Sequence, residues 1–431
     1  MRDEARAAAE ETPTGPQKLL QILGPGLITG ASDDDPSGIA TYSQAGAQFG
    51  FNLGWSLLFS WPLMCAIQEI SARIGRVTGR GIAGNLKRHY PAPILYALVF
   101  LLVVANTVNL GADLGAMAAA LKLVIGGPTL IFVAAFAIVS ALLEVFVSYQ
   151  RYVRVLKWLT LTLFAYVAVA FVVKVPWGVV GHSLIVPQIS LKADYLTVVV
   201  AVLGTTISPY LFFWQAEEEV EEVKETEGAK PLRRDPAAAK KEFGRVRIDT
   251  YLGMGLSNLV ALFIVVTTAA TLHAHGVTNV TTSAQAAEAL RPIAGPYVFL
   301  VFALGIVGTG MLAVPVLAGS AAYALGEAFG WHVGLSRSPE RAKVFYATIV
   351  AAFLIGAGLN FTPIDPVKAL FWSAVINGVV AVPVMFMMMH LASRPAAMGR
   401  FILPPALKLF GWAATVAMGL AAIGMFATMA T

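Results

Sequence analysis

The sequence predicts an all-α polytopic membrane protein with about eleven membrane-crossing helices. Three observations predict it. Hydrophobic residues make up 57% of the chain and charged ones only 13%, apolar runs of roughly 20 residues recur from end to end, and strand-like alternation is absent.

The runs follow in order. A cytoplasmic tail, 1–16, precedes the first run at 17–49, and runs at 53–75, 93–122, 128–147 and 154–174 complete a first five-helix half, 17–174. An extracytoplasmic loop, 175–193, leads to runs at 194–223, 247–271, 296–326, 342–359 and 366–390, a second half spanning 194–390. The segment 391–431 holds an eleventh helix near 404–428. The long hydrophilic stretch Glu217 to Arg247 starts acidic and ends basic, and reads as a cytoplasmic linker whose acidic part extends the sixth helix.

Orientation follows from Lys and Arg. With the amino terminus inside, 25 of the 30 fall on the cytoplasmic side, leaving Lys122, Lys174, Lys192, Arg291 and Lys368 outside. The expectation is a multi-pass protein of the cell membrane (the inner membrane of a two-membrane cell), with its amino terminus cytoplasmic and its carboxyl terminus extracytoplasmic. No cleavable signal peptide is read in Met1-Arg2-Asp3-Glu4-Ala5-Arg6.

The basic residues follow loops and form no stripe, so nucleic acid is not an expected partner; the lipid bilayer is. Cys65 is the single cysteine, which excludes an intrachain disulfide and a multi-cysteine metal site. A Gly-rich phosphate loop, a Ser/His/Asp set and a His-Glu-x-x-His helix are all missing, so an enzyme is not expected. No cofactor is expected, and oligomeric state is left open.

The chemistry concentrates at two interruptions. The first run contains Asp33-Asp34-Asp35-Pro36-Ser37-Gly38, and the sixth contains Gly204-Thr205-Thr206-Ile207-Ser208-Pro209-Tyr210. Proline frees carbonyls at membrane depth, and many secondary transporters place substrate where two broken helices of inverted five-helix repeats meet. Each ionised Asp near the bilayer centre costs roughly 2.5–3.5 kcal/mol, so a compensating partner is required. A hard divalent cation suits an all-oxygen site.

Gly24-Pro25-Gly26, Asp35-Pro36-Ser37-Gly38, Ala45 to Gly50, Ala112-Asp113-Leu114 and Gly204 to Pro209 resemble the Nramp family of divalent-metal transporters. The resemblance implies a LeuT-like fold of two inverted five-helix repeats plus one extra helix, alternating access, and a cation held between helices one and six. By position, the family's metal-binding Asp falls on Asp35, its Asn on Gly38, its backbone carbonyl on Thr205 and its Met on Ser208. Asp33 and Asp34 add acceptors suited to ordered water.

The departures are informative. Losing the Asn amide and the Met thioether removes the soft ligand and opens space, which is similar to the Nramp-related magnesium transporter branch and points to hydrated Mg²⁺, with Mn²⁺ second. The family's helix-six histidines are Tyr210 and Gln215 here, and its helix-three acid is Ala116, so titratable relay groups are depleted and weak or absent proton coupling is expected.

Asp113 and Asn377 are secondary candidates, as a vestibule carboxylate and an amide that joins the site on closure. Glu144 is read as structural, His273-x-His275 as a weak metal pair, and Met385 to Met389 as packed or lipid-facing. The alternatives are a proton-coupled Mn²⁺/Fe²⁺ transporter of the Nramp type, a sodium-coupled organic-solute carrier on the same fold, and a channel.

Overall fold

Proline sets where many helices begin, because its missing N–H costs nothing in the first turn. In the computed structural model, which describes residues 29–30, 32–147 and 159–430, Pro36, Pro93, Pro209, Pro366 and Pro405 each stand at the first or second position of a long helix. The described residues contain helix and no strand.

In chain order the helices are α1 (Pro36–Phe49), α2 (Gly54–Thr78), α3 (Ile82–His89), α4 (Ala92–Ile125), α5 (Thr129–Phe146), α6 (Phe164–Val172), α7 (Trp177–Ile185), α8 (Ala193–Thr206), α9 (Pro209–Glu225), α10 (Ala239–Thr271), α11 (Val298–Phe329), α12 (Lys343–Leu359), α13 (Pro366–Ala392) and α14 (Pro405–Met429). Eight helical stretches among the described residues are long and apolar enough to cross a membrane, or nine if α6 and α7, bent by 117°, form one crossing. About eleven were expected. The difference arises because Pro36–Thr78 runs through α1 and α2 as one helical stretch, and α12 is only 17 residues long. The start of the first run, residues 17–28 with Gly24-Pro25-Gly26, lies outside the described residues.

Helix α4 packs along α11 and α13, α8 along α13, α9 along α2, and α10 along α1 and α2. Small residues permit the closest approaches. Gly204 of α8 faces Gly378 of α13 so tightly that a Cβ on Gly204 would sit 2.1 Å from the Ala374 carbonyl oxygen and 2.5 Å from the Gly378 nitrogen. This is how helices associate where lipid competes equally for apolar surface. Phe100, Phe146 and Phe171 point outward, an exterior suited to hydrocarbon.

The acidic stretch departs from the solvated linker that its composition suggests. Helix α9 continues to Glu225, and Glu217, Glu219 and Glu221 are buried. Arg245 of α10 explains part of this, reaching Glu219 at 2.6 Å and Glu222 at 3.1 Å. Arg76 of α2 joins through Glu242, so three helices share one ionic network. Glu327, near the end of α11, accepts the Gly81 N–H at 2.8 Å and the Gly84 N–H at 2.7 Å, capping α3 with both carboxylate oxygens.

Cys65 is buried and free. Met385, Met388 and Met389 are buried core. His273 and His275 each donate from Nδ1 to a backbone carbonyl, of Ala47 at 2.8 Å and Thr271 at 2.5 Å.

Candidate cation site

Both interruptions fall at the expected residues. Asp35 has extended backbone and caps α1, its Oδ1 accepting the Ser37 hydroxyl and the Gly38 N–H, both at 2.7 Å. Ser208, also extended, separates α8 from α9, which restarts at Pro209. Its hydroxyl turns back to the orphan carbonyls of α8, lying 2.7 Å from those of Gly204 and Thr205.

The two breaks face each other. Tyr210 of α9 donates from its hydroxyl toward Asp35 Oδ2 at 3.3 Å and the Ser32 carbonyl at 3.2 Å. Thr205 donates to the Tyr42 hydroxyl of α1 at 3.0 Å. Helix α4 supplies the third wall through Asn109, whose amide reaches Asp35 Oδ2 at 3.0 Å and Asp113 Oδ2 at 3.2 Å. Asn377 of α13 donates to Asn109 Oδ1 at 3.2 Å. Asp35, Asp113, Asn109, Asn377, Thr205, Ser208 and Tyr210 are all buried.

Four neutral donors thus surround one carboxylate. Hydrogen bonds to a charged group contribute about 1.5–3 kcal/mol each, and here they act against the desolvation cost of a carboxylate at membrane depth. Every group bonded to Asp35 in this way presents oxygen or nitrogen.

The three aspartates do not act as one cluster. The Ser257 hydroxyl of α10 bonds Asp33 Oδ2 and lies 3.2 Å from Asp34 Oδ1, so these two face α10 while Asp35 faces α4 and α9. Asp33 Oδ1 has no protein hydrogen-bond partner. Gln215 also stands apart, accepting the Thr29 hydroxyl at 2.7 Å. Gly38 contributes its N–H to Asp35, and a Cβ there would meet the Tyr42 ring at 3.3 Å and Asp35 Oδ1 at 3.4 Å.

Sequence reasoning missed Asn109, Ser37, Tyr42 and Ser257. Asn109 stands one turn before Asp113 in a strongly apolar helix, a spacing that puts both on one face. That was the available signal.

A bundle of long apolar helices with two interruptions facing each other around a buried carboxylate is the arrangement expected of a LeuT-like membrane transporter. The model of the Nramp family, described as natural resistance-associated macrophage protein-like, matches residues 26–428. The chain belongs to the Nramp family, and is accordingly a transporter and not an enzyme.

Among relatives, the "divalent metal cation transporter MntH" of Burkholderia ambifaria is 27% identical over 430 residues, covering 96% of this chain and 90% of its own. Its namesake in Deinococcus radiodurans is 25% identical, covering 94% and 89%. The fold is similar to a crystal structure of an Eremococcus coleocola manganese transporter, with a TM-score of 0.73 at 16% identity, covering 97% of this chain and 90% of that one. It also resembles Mhp1, a nucleobase-cation-symport-1 family transporter in a closed conformation, with a TM-score of 0.52 at 14% identity over 94% and 92%.

Proposed function

We propose that this Nramp-family divalent-metal transporter imports Mg²⁺, and Mn²⁺ less selectively, as partly hydrated ions by alternating access and without a stoichiometric proton. The observation that carries this is Ser208: where a thioether would favour softer metals, a small hydroxyl bonds the Gly204 and Thr205 carbonyls. Asp35 is the anionic ligand, the Thr205 carbonyl and Ser208 are oxygen ligands on the opposite wall, and Gly38 contributes no side-chain ligand, only its N–H to Asp35. Mg²⁺ keeps several waters and binds through few carboxylates. Asp33 and Asp34 hold hydrated ions on the way to or from Asp35, while Asp113 and Asn377 line the closing side. The amino terminus is cytoplasmic, and the membrane potential suffices as driving force, two charges gaining about 4.6 kcal/mol across 100 mV.

Purified protein in liposomes tests this with a panel of Mg²⁺, Mn²⁺, Ca²⁺ and Zn²⁺ competing for uptake. Mg²⁺ and Mn²⁺ are expected to enter, and exclusion of Mg²⁺ would overturn the reading in favour of a proton-coupled Mn²⁺/Fe²⁺ carrier. In the same vesicles an interior pH dye is expected to stay flat during uptake, because Tyr210, Gln215 and Ala116 offer no group titrating near neutrality. Acidification in step with metal entry would refute the absence of coupling.

The double variant Gly38→Asn, Ser208→Met is expected to raise the preference for Mn²⁺ over Mg²⁺ by about tenfold or more, the equivalent of about 1.4 kcal/mol. Unchanged competition curves would reject the oxygen-only account of selectivity.

A further inference from the structure

The four donors to Asp35 fall into two pairs with different histories in a moving protein. Ser37 and Gly38 belong to α1, like the helix cap they bond, and travel with it. The donors to Oδ2 come from elsewhere: Tyr210 from α9 and Asn109 from α4. Both protons of the Asn109 amide are spent on carboxylates, one on Asp35 and one on Asp113, while Asn377 holds its oxygen side from α13. The amide therefore stands between two buried carboxylates and has its orientation fixed from behind.

A cation that binds Asp35 through Oδ2 displaces the donors that come from other helices. We propose that Asn109 is a positioning residue of the unloaded carrier: with Tyr210 it occupies Asp35 Oδ2 when no cation is bound, and so stabilises the empty state through which the protein resets its orientation. This rests on the transport reading above and deepens it, because a carrier that returns without a proton needs another way to satisfy its binding carboxylate. Neutral donors from two facing helices meet that need without adding a charge that would repel the next ion.

The inference separates two fluxes. Net uptake requires the empty carrier to reset in every cycle, whereas exchange of external labelled Mn²⁺ for internal unlabelled Mn²⁺ never passes through the empty state. In proteoliposomes, Asn109→Leu is expected to slow net Mn²⁺ uptake by about tenfold or more, the scale of one lost hydrogen bond to a charged group, and to slow exchange by a factor several times smaller. Asn109→Gln, which keeps the amide, is expected to recover part of the net rate. Tyr210→Phe, a smaller change, should give the same split should Asn109→Leu fail to fold.

Equal losses of net uptake and exchange in both Asn109→Leu and Tyr210→Phe would overturn the proposal, since the residues would then act on loaded steps. Unchanged net uptake in both would overturn it as well. Wild-type vesicles that carry Mn²⁺ in neither assay would instead remove the transport reading, and this inference with it.

Discussion

Liposomes reconstituted with Asp35→Ala are expected to take up Mg²⁺ at least about 100-fold more slowly than wild type, a loss of about 2.7 kcal/mol or more. The carboxylate is the anion on which the two broken helices converge, and its removal takes the acceptor from the Ser37 hydroxyl and the Gly38 N–H and leaves the Asn109 amide only Asp113 and the Tyr210 hydroxyl only the Ser32 carbonyl. Alanine also removes the cap of α1, worth about 0.5–2 kcal/mol, so part of any loss could come from the fold. Asp35→Asn separates the effects, since it can still cap the helix but carries no charge. An interior Mg²⁺ dye reads the flux and gel filtration reads the fold. Uptake by folded Asp35→Asn within about twofold of wild type would remove Asp35 from the cation's path.

The second large effect belongs to packing. Gly204→Val places a side chain where backbone already lies, the Cβ alone meeting Ala374 oxygen at 2.1 Å and Gly378 Cα at 2.8 Å. The neighbouring strand of contacts cannot yield by a rotamer change, because the obstructing atoms are main chain. From the other side, a Cβ on Gly378 would meet the Val200 carbonyl at 2.5 Å. The substitution must force α8 away from α13, at the upper end of the ~1–3 kcal/mol range for overpacking or beyond it. A clear drop in melting temperature of the detergent-purified protein is expected. An unchanged transition would show that the two helices are not in this contact in solution.

Both helix breaks were legible because each proline follows polar residues within an apolar run: α1 starts at Pro36 and α9 at Pro209, whereas Pro62, Pro315 and Pro383, in apolar surroundings, lie inside α2, α11 and α13. The apolar runs gave the helical architecture for the same reason that hydropathy works in lipid, where backbone groups must pair within their own segment. What stood opposite each residue was not legible. Three consecutive aspartates at a helix interruption point in different directions, and only the positions of α10, α4 and α9 assign Asp33 and Asp34 to Ser257 and Asp35 to Asn109 and Tyr210. The same limit hid the burial of Glu219, which composition reads as solvated and which Arg245, 26 residues later, holds inside. Asn109 was missed because an amide in an apolar helix carries no motif of its own; its meaning lies in its partners.

The cap on α3 has a consequence for how the chain is made. Gly81 and Gly84 donate their N–H groups to Glu327, 246 and 243 residues further along. At ribosomal speeds of about 5–20 residues per second, roughly 12–50 s separate the emergence of this short helix from that of the carboxylate that completes it. Through that interval its first turn has only water or lipid headgroups for partners. The early half of the molecule is therefore finished by the late half, and an amino-terminal fragment released before residue 327 carries a helix whose start was left open.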